Sequence, residues 1–300
     1  MIVALSPDKS LIVDAARRRH LSRGMDFDFR SSWLSAKIAD HWDEVVKQQH
    51  ENSKASIRQQ LIEEFGNRAI DAKMENFIAV DTKPISVLSY HNALFHHIRQ
   101  SYVIGAYYPA LVGACTLGER ILNHLVIDLR DYYKETETYK RVRNKKSFDN
   151  WQVTIDALES WKVLLPMVVT EFRALLSLRN RSIHFNPDTY ATLKKDALAA
   201  ILHMRTIIEQ QFGSFGLRPW FIEGTSGQIF IKKDYEENPF VKTYFLPVCP
   251  FVGPLFSLSM GDQGWMVHDK DDYGMGSWSD EEFAKQYNQR DPKDIAQGVK

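Results

Sequence analysis

The chain has 300 residues, 44% apolar and 25% charged, the balance of an ordinary soluble globular protein with room for one large or two small domains. Lys+Arg and Asp+Glu stand at 38 each, so no global field marks a nucleic-acid or membrane partner and any polyanion site must be local. Two well-separated cysteines, Cys115 and Cys249, exclude a disulfide framework and fit a reducing compartment.

In chain order, the N-terminus carries Asp8 and Asp14 within its apolar run, which argues against a signal peptide. The "RRR" at 17–19 reads as a solvated helix face. "SSWLSAKIADHWDEVVKQQ" spaces Trp33, Leu34, Ile38, Trp42, Val45 and Val46 near a helical period, predicting one helix. "SKASIRQQLIEEF" predicts another through Ile57, Leu61, Ile62 and Phe65, with Gly66 as its stop. Residues 79–89 break the pattern as a connector.

Residues 90–130 read as one or two long, mostly buried helices. The charge-free stretch 101–118 reaches the lower limit of a membrane span, but Pro109, three glycines and the amphipathic sequence that follows favour a buried helix. The charged run 131–151 is expected to be an exposed connection. Within it, Lys140, Arg141, Arg143, Lys145 and Lys146 stand among Tyr139, Phe148 and Trp151, a combination suited to single-stranded RNA through phosphate contact and base stacking; a solvated loop is the plainer reading. Residues 152–186 and "TYATLKKDALAAILHMRTIIEQQF" return to helix. After Phe212 come β-rich runs, "PWFIEG", "GQIFIKKDY", "FVKTYFLPV", "LFSLS" and "GWMVHD", separated by turn residues and followed by a polar tail after Ser277. His91, His96 and His97 lack the i, i+4 spacing of a zinc helix, and "HDKDDYG" at 268–274 lacks the glutamate of a calcium loop. No metal and no cofactor are expected.

The stretch "LLSLRNRSIHFNPD", residues 175–188, stands apart. At about 100° per residue, Phe172, Leu175, Leu176 and Ile183 form an apolar stripe with Arg179 near its middle, and Asn180 and His184 stack on one flank. Burying an arginine is costly unless it is paired or faces a polar cleft. Glu119 is the obvious partner, and a histidine near a helix C-terminus also serves as an ordinary cap.

Arg179, Asn180 and His184, with four residues between Arg and His, resemble the motif of the HEPN family. "GAYYPALVGACTLGERILNHL", residues 105–125, is similar to an earlier core helix of that family, and the resemblance covers roughly residues 90–212. It implies a HEPN-like helical bundle over 90–212; with the patterns read above, the chain is expected to be mainly α, with an N-terminal helical extension (1–89) before the bundle and a small antiparallel β element with a polar tail (213–300) after it. It further implies a metal-independent, cytoplasmic endoribonuclease, of the kind found in toxin–antitoxin and antiphage systems, built as a homodimer and partnered by RNA and an antitoxin protein. In that reading His184 transfers protons, Arg179 grips phosphate oxygens, Asn180 holds the register and Glu119 supports. A non-catalytic helical dimerisation or RNA-binding module is the alternative.

Overall fold

The computed structural model describes residues 14–297, except 25, 88, 149, 183–188, 263 and the side chain of 189. The fold is mainly helical, with small antiparallel strand pairs in its C-terminal part. The chain divides into two compact units, 25–213 and 1–24 with 214–300. Residues 25–89 therefore pack with the bundle, whereas the sequence placed a boundary at 89.

The helical unit opens with α1 (Arg30–Ser35), α2 (Glu44–Phe65) and α3 (Ile70–Ala79), which pack on one another. The single helix expected from 31 to 49 is split across 36–43, and Val45 and Val46 are exposed, so its apolar spacing does not mark a core face. Ile57 and Leu61 are buried, and α2 stops at Gly66, whose φ of +76° suits glycine.

α4 (Tyr90–Val103) leads to α5 (Tyr107–Leu129), the central helix, which packs against α4, α7 (Trp151–Ser160), α8 (Pro166–Ser182) and α9 (Thr189–Phe212). The short α6 (Glu137–Val142) lies between α5 and α7 in sequence. Among the described residues, Tyr107–Tyr133 is the one helical stretch long and apolar enough to cross a membrane. It is a core helix: Leu111, Ile121, Leu122, Leu125, Val126 and Leu129 are fully buried. Its glycine at 118 matters sterically, because a Cβ there would lie 2.8 Å from both Leu175 Cδ2 and Trp151 Cη2. That position lets α7 and α8 close on α5.

The second unit joins the two ends of the chain. β1 (Arg19–His20) pairs antiparallel with β2 (Phe251–Val252), while β3 (Ser257–Gly261) and β4 (Gly264–His268) form a hairpin in the expected place. Leu21, Phe230, Val252, Phe256, Phe283 and Tyr287 build its core, with Phe230 edge-on to Phe256, Phe283 and Tyr287.

Several expectations fail here, and "PWFIEG" and "GQIFIKKDY" form only isolated antiparallel bridges, Phe221 with Ile231 and Phe230 with Leu21, instead of strands. The run "FVKTYFLPV" forms α10 (Pro239–Tyr244) and a further helical turn rather than a strand, because Asn238 caps the Phe240 and Val241 amides and Pro239 occupies the first turn. The polar tail contains α11 (Asp280–Asn288), started by a Ser279–Glu282 capping box and anchored by buried Phe283, Ala284 and Tyr287.

The arginines at 17–19 are not a solvated helix face. Arg19 is fully buried: Nε donates to Asp280 Oδ1 at 2.6 Å and Nη2 to the Trp278 carbonyl at 2.7 Å. Arg18 forks onto Asp14 at 2.8 and 2.9 Å, reaches Asp269 at 2.7 Å and donates to the Lys270 carbonyl at 2.8 Å. The loop at 268–274 is thus the receptor for the N-terminal arginines. Burial would raise the Asp14 carboxyl, but the bonds from Arg18 outweigh it and hold the group below the usual carboxylate range.

Candidate functional site

α8 carries its buried line through Val168, Phe172, Leu175, Leu178 and Ser182. By angle Arg179 falls within that line, but its side chain is only partly buried, 23% exposed. Its Nη2 donates to Glu119 Oε2 on α5 at 3.3 Å, the pairing anticipated from sequence. The guanidinium lies over the Trp151 ring, 5.5 Å from the centroid, and Trp151 Nε1 donates to the same Glu119 oxygen at 3.1 Å. One carboxylate oxygen therefore fixes both an arginine and the indole beneath it.

The floor of this seat is tied down by Asn123. Its Nδ2 donates to the Glu119 and Phe148 carbonyls at 2.9 and 3.1 Å, and its Oδ1 accepts from the Phe148 amide at 2.6 Å. Asn180 is exposed beside Arg179. At the next turn Arg181 pairs with Asp196 of α9 at 2.6 Å, and Asp196 also accepts from Thr192 at 2.7 Å. No pattern in the sequence marks this anchor, because Arg181 and Asp196 lie 15 positions apart on different helices. His184 and Ile183 fall outside the described residues.

Comparisons with protein families, curated protein sequences and solved structures gave no match to this chain.

The basic stretch is exposed at Lys140, Arg141, Arg143, Lys145 and Lys146. It is more ordered than an open connection: 137–142 form α6, Lys140 pairs with Glu137 at 2.8 Å, and Arg130 donates to the Val142 and Lys145 carbonyls at 2.9 and 2.6 Å. Phe148 and Trp151 are 2% and 1% exposed, so they pack the core and cannot stack on bases as expected. Phosphate contact is the part of that expectation the geometry permits.

The histidines of α4 have separate environments. His91 is buried against Phe212, with Nε2 3.2 Å from Ser86 Oγ. Burial, with Lys83 near it, depresses its pKa to about 3. His96 is also held below the ordinary histidine range by burial and by Lys83. Both thiols are inert in this setting, since burial pushes Cys115 and Cys249 up to about 12.

Proposed function

We propose that the protein is a HEPN-type, metal-independent endoribonuclease that works in the cytoplasm as a homodimer. The observation carrying this reading is the half-open seat of Arg179, a guanidinium held by Glu119 over Trp151, followed five residues later by His184. An arginine at 3.3 Å from one carboxylate keeps the capacity to receive a phosphate oxygen, because a second anion can share its planar fork.

In this mechanism the RNA 2′-hydroxyl attacks the adjacent phosphorus. His184 accepts the hydroxyl proton, the 5′-oxygen leaves, and the departing oxygen takes a proton from the imidazolium of the second copy. Arg179 stabilises the added charge on the phosphorane and Asn180 holds the phosphate in register. The products are a 2′,3′-cyclic phosphate and a 5′-hydroxyl. Two such helices facing each other across a two-fold axis supply the second set of groups. RNA, a second copy of the chain and a silencing antitoxin are the partners.

The pairing of Arg179 with Glu119, which Trp151 shares, favours one rival, a non-catalytic dimerisation or RNA-binding module in which the pair is purely structural. Incubating purified protein with total RNA in EDTA separates the two. Wild-type cleavage is expected to persist, and Arg179→Ala or His184→Ala to reduce it by at least ~100-fold. Equal cleavage by the variants, strict dependence on added Mg²⁺, or no cleavage at all overturns the nuclease reading.

A further inference from the structure

The helical unit holds a second polar opening that the RNA-cleavage reading does not use. A cavity of about 400 Å³ is lined by Asp26, Phe27, Asp28, Phe29, Arg30, Lys83 and His96. That volume suits a small ligand. Phe27 and Phe29 are 47% and 38% exposed, and their rings lie 5.1 Å apart at 32°. Two neighbouring aromatic rings at the mouth of a polar cavity offer a flat stacking face.

The charges around the rings separate into two kinds. Arg30 is committed to Asp28 at 2.8 Å and Glu64 at 2.9 Å, and backbone bonds between Asp28 and Lys83, 3.1 and 2.9 Å, set the wall. Asp26 and Lys83 form the remaining pair, Nζ to Oδ1 at 2.5 Å, with the carboxylate side 40% exposed and the ammonium side 5% exposed. Each cation already has an anion, and His96 stays neutral, so a bare phosphate finds little hold.

We propose that this cavity binds a guanine base. The purine stacks on the exposed phenylalanine face, the Asp26 carboxylate accepts from guanine N1–H and N2–H together, and Lys83 donates to O6. Adenine offers the carboxylate one donor at that edge, where guanine offers two. The base belongs either to a free nucleotide or to single-stranded RNA, in which aromatic stacking on splayed bases is a common mode. The site stands independently of the nuclease reading.

Calorimetric titration of the full chain with GMP, AMP and ribose 5-phosphate tests it. GMP is expected to bind at least ~10-fold more tightly than AMP, from the extra hydrogen bond to the carboxylate, with no binding of ribose 5-phosphate. Phe29→Ala and Asp26→Asn should each weaken GMP at least ~10-fold with unchanged circular dichroism, since both side chains are partly exposed and lie outside the core. Arg179→Ala should leave GMP binding intact, so failure of the nuclease reading does not carry over. Displacement of GMP by a guanosine-containing hexanucleotide identifies RNA as a source of the base, and displacement by free nucleotide alone identifies the nucleotide. Absence of GMP binding, equal affinity for AMP or ribose 5-phosphate, or indifference to both cavity variants overturns the proposal.

Discussion

Arg18 and Arg19 in one unit and Arg179 in the other are held in opposite ways. In the unit built from the chain ends, Arg18 and Arg19 are buried and each is held by several fixed acceptors, a carboxylate and main-chain carbonyls together. In the helical unit, Arg179 has one carboxylate at 3.3 Å and keeps nearly a quarter of its side chain in solvent. A guanidinium that is fully satisfied acts as a bolt. One held only by long hydrogen bonds, 3.3 Å to Glu119 and 3.5 Å to Asn180, keeps room for a ligand, and this difference in saturation separates structural from chemical use more cleanly than burial alone.

The sharpest way to break this comparison is to remove each arginine in turn. Arg19→Ala removes a fully buried guanidinium and leaves Asp280, 19% exposed, with the Lys233 amide, and is expected to cost about 3 kcal/mol. Arg179→Ala removes a partly exposed pair and should cost about 1 kcal/mol or less. Urea unfolding of the two variants measures both, and similar destabilisation would mean that saturation does not distinguish them.

Acid offers a second contrast. His91 is neutral when folded and has a pKa of about 3, against about 6.5 in the unfolded chain. Its contribution is therefore complete above pH 6.5 and lost progressively as pH falls toward 3, by about 1.4 kcal/mol per pH unit. The groups packed near it are Ser86, Tyr90, Phe212, Lys83 and Asp26. Asp14 in the other unit has a lowered pKa, so its contribution persists above 3.8 and is lost only as pH falls through that lowered value. The helical unit should thus weaken first on acidification. Stability curves from pH 7 to pH 4 check this, and His91→Gln should remove about one proton's worth of slope.

The smallest expected effect concerns the exposed basic residues. Replacing Arg141, Arg143, Lys145 and Lys146 with glutamine should weaken RNA binding at all sequences. It should also flatten the salt dependence, by a slope of about 0.7 for each phosphate that is no longer neutralised. Cleavage at saturating RNA should change little. Anisotropy titrations at several salt concentrations decide it, and an unaltered slope retires this surface as an RNA-binding face.

Local signals in the sequence were readable where the determinant is local. Gly66 ends α2 and the β3–β4 hairpin falls where alternating apolar residues flank a turn. The Glu119–Arg179 pair was visible because a buried arginine demands an anion and α5 offers one on its polar edge. The capping box at Ser279 and Glu282 was equally present, but the polarity of the surrounding residues hid it. Other features have no local mark. Arg18 and Asp269 are 251 positions apart, so nothing near "RRR" announces its partner. Ser182 is buried against Asp196 of α9, 14 positions away in sequence, so its inward position has no local mark. The openness of Phe27 and Phe29 likewise follows from the wall that Lys83 builds beside Asp28.

The pairing of β1 with β2 carries a consequence for the order of events in synthesis. Residues 25–213 are contiguous and can condense as soon as they leave the ribosome, whereas the other unit brings Arg19 beside Val252 and Arg18 beside Asp269. Those pairings demand closure of a very long intervening chain, which is entropically dearer and slower than local helix pairing. Until Asp269 and Asp280 have been translated, Arg18 has Asp14 for a carboxylate partner and Arg19 has none of its own. Residues 251–280 are therefore the ones that capture the first described stretch, and truncation after Gly213 would leave the helical unit folded and Arg19 without its carboxylate.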